Sequence, residues 1–387
     1  MPYFLPEDYE RRRRRAEAEM AARGLDALIV SDPANMHWLT GYDGWSFYVH
    51  QAVVLSGGGA LWWGRGIDAA GAERTVVPGT RIEGYADHQV QNPELHPMTD
   101  LAGHLRELGL RGARIGVELD TYYYTAAAHA CLASTLPDAT LLDATGLINW
   151  LRLVKDPAEI TLMRRAGRIV EAMHARILEV AEPGLPKHHL VAEIQRAGTR
   201  GTSEAWGDYP AIVPMTPSGL DATAPHLTWD DRPIEVGEAT FFEIAGVHRR
   251  YHAPQSRTIW FGSPPDHFRR AEAAVLAGLE AGFAVARPGN RAEDIAAAFN
   301  ATLRGHGFEK DNRCGYAIGL AYPPDWGERT VSFRAGDKTV LEPGMAFHFM
   351  PALWLEDGGL EISEPLLITE RGAERLTTTP QSLFVKT

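Results

Sequence analysis

Val236-Gly237-Glu238-Ala239-Thr240-Phe241-Phe242-Glu243 returns later in the chain as Pro343-Gly344-Met345-Ala346-Phe347-His348-Phe349-Met350, starting 107 residues further on. Each copy passes a glycine turn and enters an apolar run that reads as a buried strand. The likeness extends outward. Val180-Ala181-Glu182-Pro183-Gly184 leads into a helical stretch with Ala192, Glu193 and Ile194, and Val285-Ala286-Arg287-Pro288-Gly289 leads into one with Glu293, Asp294 and Ile295. The two Pro-Gly pairs lie 105 residues apart. Long helix, Pro-Gly turn, shorter helix and strands therefore occur twice in the same order. A duplicated α+β unit places a site between its halves, and here Glu243 and Met350 are counterparts.

The part before the repeat reads differently. Residues 6–23 have helical composition and end at Gly24, and Leu25 to Val30 is a short apolar run stopped by Ser31-Asp32-Pro33. Val53-Val54-Leu55 and Leu61-Trp62-Trp63 flank Ser56-Gly57-Gly58-Gly59, the pattern of a hairpin. Helical stretches at 96–108 and 122–136 bracket a strand at 114–118, the second with Tyr122-Tyr123-Tyr124 as a packing element at its start. This is an α/β domain, expected over 1–152, with the duplicated domain over 153–387. Lys155-Asp156-Pro157 opens the long helix of the latter, with proline in its first turn.

The chain has 387 residues, enough for two domains with real cores, and a net charge of −12. That charge argues against nucleic acid as a partner. No run approaches the roughly 18 apolar residues of a membrane span. The arginines at 11–15 stand among acidic residues with no apolar stretch after them, unlike a secretory signal. Two cysteines imply no disulfide framework. A cytoplasmic protein is expected.

Candidate chemistry concentrates between Asp208 and His252 and in the last strands. His226 lies in a loop of turn formers, where a hydrogen-bonded loop histidine is the ordinary explanation. Glu243 lies in an apparently buried strand, and carboxylates are rarely buried unless paired or functional. It is either the partner of Arg249, Arg250 or Arg257, or a carboxylate tuned as base or nucleophile. Glu361 and Ser363 should share one strand face. Tyr316 sits among glycines that permit close ligand approach. Five aromatics fall within eleven residues from Trp38 to Tyr48, a grouping suited to covering a cation. There is no Walker loop, dinucleotide fingerprint, His-Glu-x-x-His or paired Cys-x-x-Cys.

Arg152 to Ile160, Pro225-His226 through Ile234, Gly237 through Gly246, Ser256-Arg257-Thr258, Gly315 to Leu320, Leu341 to Gly344 and Leu366 to Glu370 together resemble the creatinase/prolidase/methionine-aminopeptidase family. The resemblance implies a creatinase-type N-terminal domain followed by a pita-bread domain. It also implies a homodimer in which the N-terminal domain of one chain covers the site of the other.

The peptidases of that family hold two metal ions on two Asp, one His and two Glu. The corresponding positions here are Glu243, Pro254, Tyr316, Met350 and Ser363. Pro and Met offer no hard oxygen, and Tyr or Ser substitutes poorly. The resemblance thus implies no metal and no cofactor. His226, aligned with the family's non-ligand catalytic His, is kept. Gly41 to Gln51, Asp208 to Pro214, Arg249 to His252 and Tyr322 to Thr330 point further, to metal-free hydrolases that open a small cyclic amidine. On that resemblance Glu243 is base or nucleophile, His226 the proton shuttle and His252 a second candidate. Tyr316, Glu361, Asp208 and the aromatic loop of Tyr42, Trp45 and Tyr48 would bind substrate. Two alternatives stand beside it: an amidinohydrolase of an open guanidino acid, and a binding module that has lost its chemistry.

Overall fold

The structure is a computed structural model that describes residues 3–92 and 94–387. The chain divides into two compact units, Met1–Arg152 and Leu153–Thr387.

The first unit is built on a six-stranded sheet of β1 (Ala27–Val30), β2 (Ala52–Ser56), β3 (Gly59–Arg65), β4 (Arg81–Tyr85), β5 (Arg114–Val117) and β6 (Thr140–Asp143), ordered β4-β3-β2-β1-β5-β6. Its helices are α1 (Pro6–Ala22), α2 (Pro33–Thr40), α3 (Ala69–Thr75), α4 (Met98–Glu107), α5 (Ala126–Thr135) and α6 (Leu147–Arg152). The glycine hairpin forms as expected, with Ser56 opposite Gly59. The tyrosines at 122–124 do not start a helix: α5 begins at Ala126, because Thr125 stays extended and its hydroxyl accepts from the Ala128 N–H. Buried Glu118 accepts from the N–H groups of Ser31 and Asp32 and from the Asn35 amide, tying the end of β5 to the start of α2.

The second unit carries α7 (Pro157–Val180), α8 (Lys187–Arg200), α9 (Asp266–Val285) and α10 (Ala292–Gly305). Its strands are β7 (Ala239–His248), β8 (Tyr251–Phe261), β9 (Gly315–Tyr322), β10 (Asp325–Ser332), β11 (Ala346–Phe349), β12 (Ala352–Leu355), β13 (Gly358–Glu361), β14 (Glu364–Thr369), β15 (Gly372–Arg375) and β16 (Phe384–Lys386). The main sheet runs β15-β14-β11-β9-β8-β16, with β7 on β8 and β10 on β9, while β12 and β13 form a separate ribbon. α7 opens on a reciprocal cap: Asp156 accepts from the Glu159 N–H and Glu159 accepts from the Asp156 N–H.

Strand alternation decides what faces where. Phe242 and Ile244 pack with α7 and α8 residues in one core. Gly246 shares their face, and a Cβ there would meet the Ala166 carbonyl at 2.2 Å, so the glycine lets α7 lie against the strand. In the second half Phe347 and Phe349 pack with α9 and α10, and Gly282 leaves room for the Phe349 ring. Glu243 and His348 occupy the intervening positions and therefore turn away from the helices, onto the opposite face of the sheet.

Candidate active site

On that face the two halves meet. Glu243, His348 and Glu361 are all buried, and each brings one polar atom within 4.8 Å of the others. Glu243 lies opposite Ser256 in the β7–β8 ladder, and His348 lies opposite Tyr316 in β9–β11. The Tyr316 hydroxyl accepts from Trp326 Nε1 at 2.6 Å and lies 3.1 Å from His348 Nδ1. His348 Nε2 is 2.7 Å from Ser363 Oγ, which accepts from the Ser256 N–H at 2.7 Å. His348 Nδ1 is 4.0 Å from Glu243 Oε1. Beneath the cluster, buried Arg257 bonds Glu364 at 2.6 Å and the carbonyls of Ser256 and Ser363, fixing the β13–β14 junction against β8.

The electrostatics are unusual. Burial and the neighbouring Glu361 push the Glu243 carboxyl well above its ordinary range. Burial pushes Glu361 up to about 7, and Lys310 opposes the shift. Burial, then Glu243, also raises the Tyr316 hydroxyl. Burial, aided by Arg313, drops His348 to about 3, so its imidazole is neutral. Glu361 Oε2 is buried with no hydrogen-bond partner among the described residues. The arginines considered for Glu243 go elsewhere: Arg257 to Glu364, Arg250 to Asp208, and Arg249 onto the Trp206 ring. Two neighbouring buried carboxyls without an arginine form a receptor for a cation with N–H donors.

The other expected residues are placed as follows. Met350 follows β11, half-buried, its N–H donating to the Cys314 carbonyl, and Ser363 lies just before β14, bonded to His348. His226 is exposed. Its loop is tied to the Glu243 strand: the Thr216 N–H donates to the Thr228 carbonyl, and neighbouring Met215 exchanges two backbone bonds with Glu243. His252 requires correction. Its Nε2 accepts from the Ala211 N–H and its Nδ1 donates to the Arg250 carbonyl, and burial drops it to about 3. Both nitrogens are spent on backbone, so it carries no proton for a reaction. Asp208 also departs from a substrate role: it accepts from the Arg250 N–H and pairs with the Arg250 guanidinium beyond the β7–β8 turn. Tyr42 is buried against Trp62 at 5.1 Å, so its ring is not presented to a ligand, whereas Trp45 and Tyr48 are exposed. An aromatic pocket of about 350 Å³ in the first unit includes Tyr48, His50, His96 and Tyr122, with no acidic residue in its lining.

Three residues in or beside the cluster carried no recognised signal in the sequence. His348 sits between two phenylalanines in a core strand, where an imidazole is costly unless bonded on both nitrogens; that anomaly was the available clue. Lys310 and Arg313 lie on the loop between α10 and β9, where no periodicity marks them.

A two-half sheet with carboxylates and a histidine on its inner face defines a hydrolase of the pita-bread class. The chain belongs to the creatinase/prolidase family. Residues 161–370 match the model of metallopeptidase family M24, and residues 12–154 match the creatinase/prolidase N-terminal domain. It is 56% identical to a protein named "Ectoine hydrolase" from Halomonas elongata, over 99% of this chain and 98% of that one. It is 42% identical to an uncharacterised hydrolase/peptidase of Sinorhizobium fredii over 99% of both. Among solved structures, a prolidase from Thermococcus sibiricus superposes with a TM-score of 0.86 at 20% identity, covering 98% of this chain and 99% of that one.

The M24 family implies metal ions, and the donors do not fit the family's dinuclear set. Of the positions resembling its five ligands, only Glu243 is a carboxylate. The trio of Glu243, His348 and Glu361 offers three ligand atoms, but both nitrogens of His348 are engaged by Tyr316 and Ser363.

Proposed function

We propose that the chain is a metal-independent hydrolase that opens the cyclic amidine ectoine to N-acetyl-2,4-diaminobutyrate. The observation that carries this reading is the buried pair Glu243 and Glu361, one with an orphan oxygen and neither with an arginine. The amidinium of ectoine presents two N–H groups on a delocalised cation, the complement of such a pair. The 56% identity to the Halomonas protein supports the same substrate.

In this reading Glu243 attacks the amidine carbon or activates the water that does, and Glu361 holds the amidinium. Tyr316, fixed by Trp326 and His348, orients the ring. His226, on its exposed loop, exchanges protons with the departing nitrogen. The protein works as a cytoplasmic homodimer, with exposed Trp45 and Tyr48 on the face that a second copy covers. Incubation of purified protein with ectoine, followed by NMR, should show the acetylated diamino acid. No ring opening, or turnover that tracks about one or two equivalents of a divalent metal and is lost to chelators, would overturn the proposal. Sedimentation at working concentration tests the dimer; a fully active monomer removes it.

A further inference from the structure

The carboxylate pair explains only one end of a zwitterion. For the other end the structure offers Arg313, beside Tyr316. Its guanidinium lies 4.4 Å from the centroid of the Tyr316 ring, and Gly327 also lies close to that ring, where a Cβ would meet Tyr316 Cδ2 at 3.3 Å. Arg313 is exposed, and among the described residues its guanidinium donates one hydrogen bond, to Ser332 Oγ at 3.4 Å. No carboxylate pairs with it among the described residues. Contacts of 4.4, 3.1 and 4.0 Å lead from this guanidinium through Tyr316 and His348 to Glu243, and its charge bears on both Tyr316 and His348. The other cation of this loop, Lys310, lies in the field of Glu361 and Glu243, which opposes the lowering of its pKa by burial, but it forms no ion pair with either among the described residues.

We infer that Arg313 is a specificity-determining residue that binds the carboxylate of the substrate while Glu243 and Glu361 bind its amidinium. The inference rests on the amidine reading and narrows it: the substrate class is a cyclic amidine bearing a carboxylate, read at both ends. A guanidinium beside a ring keeps N–H groups free of it, and its planar fork can grip a carboxylate with two bonds.

The test compares ectoine with 2-methyl-1,4,5,6-tetrahydropyrimidine, the same ring without the carboxylate, on wild type and Arg313→Met. Arg313→Met should lower kcat/KM for ectoine by about 10- to 100-fold, mostly through KM, and leave the carboxylate-free ring nearly unchanged. Turnover of that ring also shows that the variant is folded. Where the ring binds without turning over, the same comparison is made on Kd. Arg313→Lys should recover part of the loss. Equal loss on both ligands would mean that Arg313 acts only on Tyr316, and no loss on either would mean that it is idle; both overturn the inference. Wild type that prefers the carboxylate-free ring overturns Arg313 and spares the amidine reading. Wild type that binds neither ring overturns the reading itself, and the Arg313 inference with it.

Discussion

His252 and His348 are both buried, both drop to about 3, and both sit in strands of the same sheet. They differ in what they touch. His252 bonds a backbone N–H and a backbone carbonyl, so it closes a gap between a loop and a turn. His348 bonds two hydroxyl side chains and stands 4.0 Å from a carboxylate that has no arginine. A histidine spent on backbone is architecture. One bonded to side chains beside two buried carboxyls is placed to orient them, which is what the proposed function asks of His348. The same contrast separates Asp208, paired with Arg250, from Glu361, whose buried Oε2 has no hydrogen-bond partner among the described residues.

The sharpest way to break the comparison is Glu243→Gln. The shape is nearly preserved and the base or nucleophile is gone, so kcat should fall by about 10²-fold or more, with greater loss for a nucleophile. Ectoine should still bind, more weakly. Near-normal turnover would sink the mechanism whatever the substrate.

Next comes the histidine pair itself. His348→Ala should cost about tenfold or more in kcat, because Tyr316 and Ser363 lose a shared partner. His252→Ala should act on stability instead, by about 1–3 kcal/mol, because it orphans a buried N–H and a buried carbonyl. Steady-state kinetics and thermal melts on the two variants check this. A kinetic loss in His252→Ala at temperatures where it is fully folded would erase the distinction drawn between them.

The repeat made the strands of the second unit legible, and with them Glu243, because a carboxylate in an apolar run contradicts its surroundings. The hairpin at Gly57-Gly58 and the cap at Asp156-Pro157 were legible because local chemistry alone decides them. What burial hides was not. The sequence shows that His252 lies near Glu243 in number, but ring nitrogens bonded to Ala211 and Arg250 are decided by a loop 41 residues away. Tyr42 read as part of an exposed aromatic cover, yet it packs inward on Trp62. His348 passed as one position of a strand because its partners, Tyr316 and Ser363, come from two other strands. Arg313 and Lys310 lie on a loop, where only tertiary structure assigns a target.

A smaller effect concerns protons. Glu361 titrates near 7 in the folded chain against an ordinary carboxyl value of 4.5. Its folded pKa is raised, so its contribution to stability is present below pH 4.5 and is lost as pH rises through about 7. Glu361→Gln should flatten that part of the stability profile. The two histidines act in the opposite sense: ordinarily near 6.5 and here about 3, they cost stability as pH falls through that window. An amidinium entering beside Glu361 favours its ionised form, so binding of ectoine near pH 6.5 should release protons. Calorimetry in buffers of different ionisation enthalpy reads the release, and Glu361→Gln should reduce it. Proton uptake on binding would contradict the carboxylate clamp.

The smallest effect belongs to Met350, the counterpart of Glu243 in the second half of the repeat. A half-buried thioether at the end of β11 offers a soft, weak donor where the resemblance to the family's peptidases calls for a carboxylate. If Met350 only fills space beside the cluster, Met350→Leu conserves volume and apolarity, and should cost less than about 1.5 kcal/mol in stability and less than about threefold in kcat/KM. The variant should also leave metal content unaltered. Elemental analysis of both proteins, with kinetics before and after dialysis against a chelator, decides the matter. A collapse of activity in Met350→Leu accompanied by loss of a bound ion would show that the second half of the repeat still supplies a ligand, and the asymmetry between Glu243 and Met350 would then be one of metal chemistry rather than of its loss.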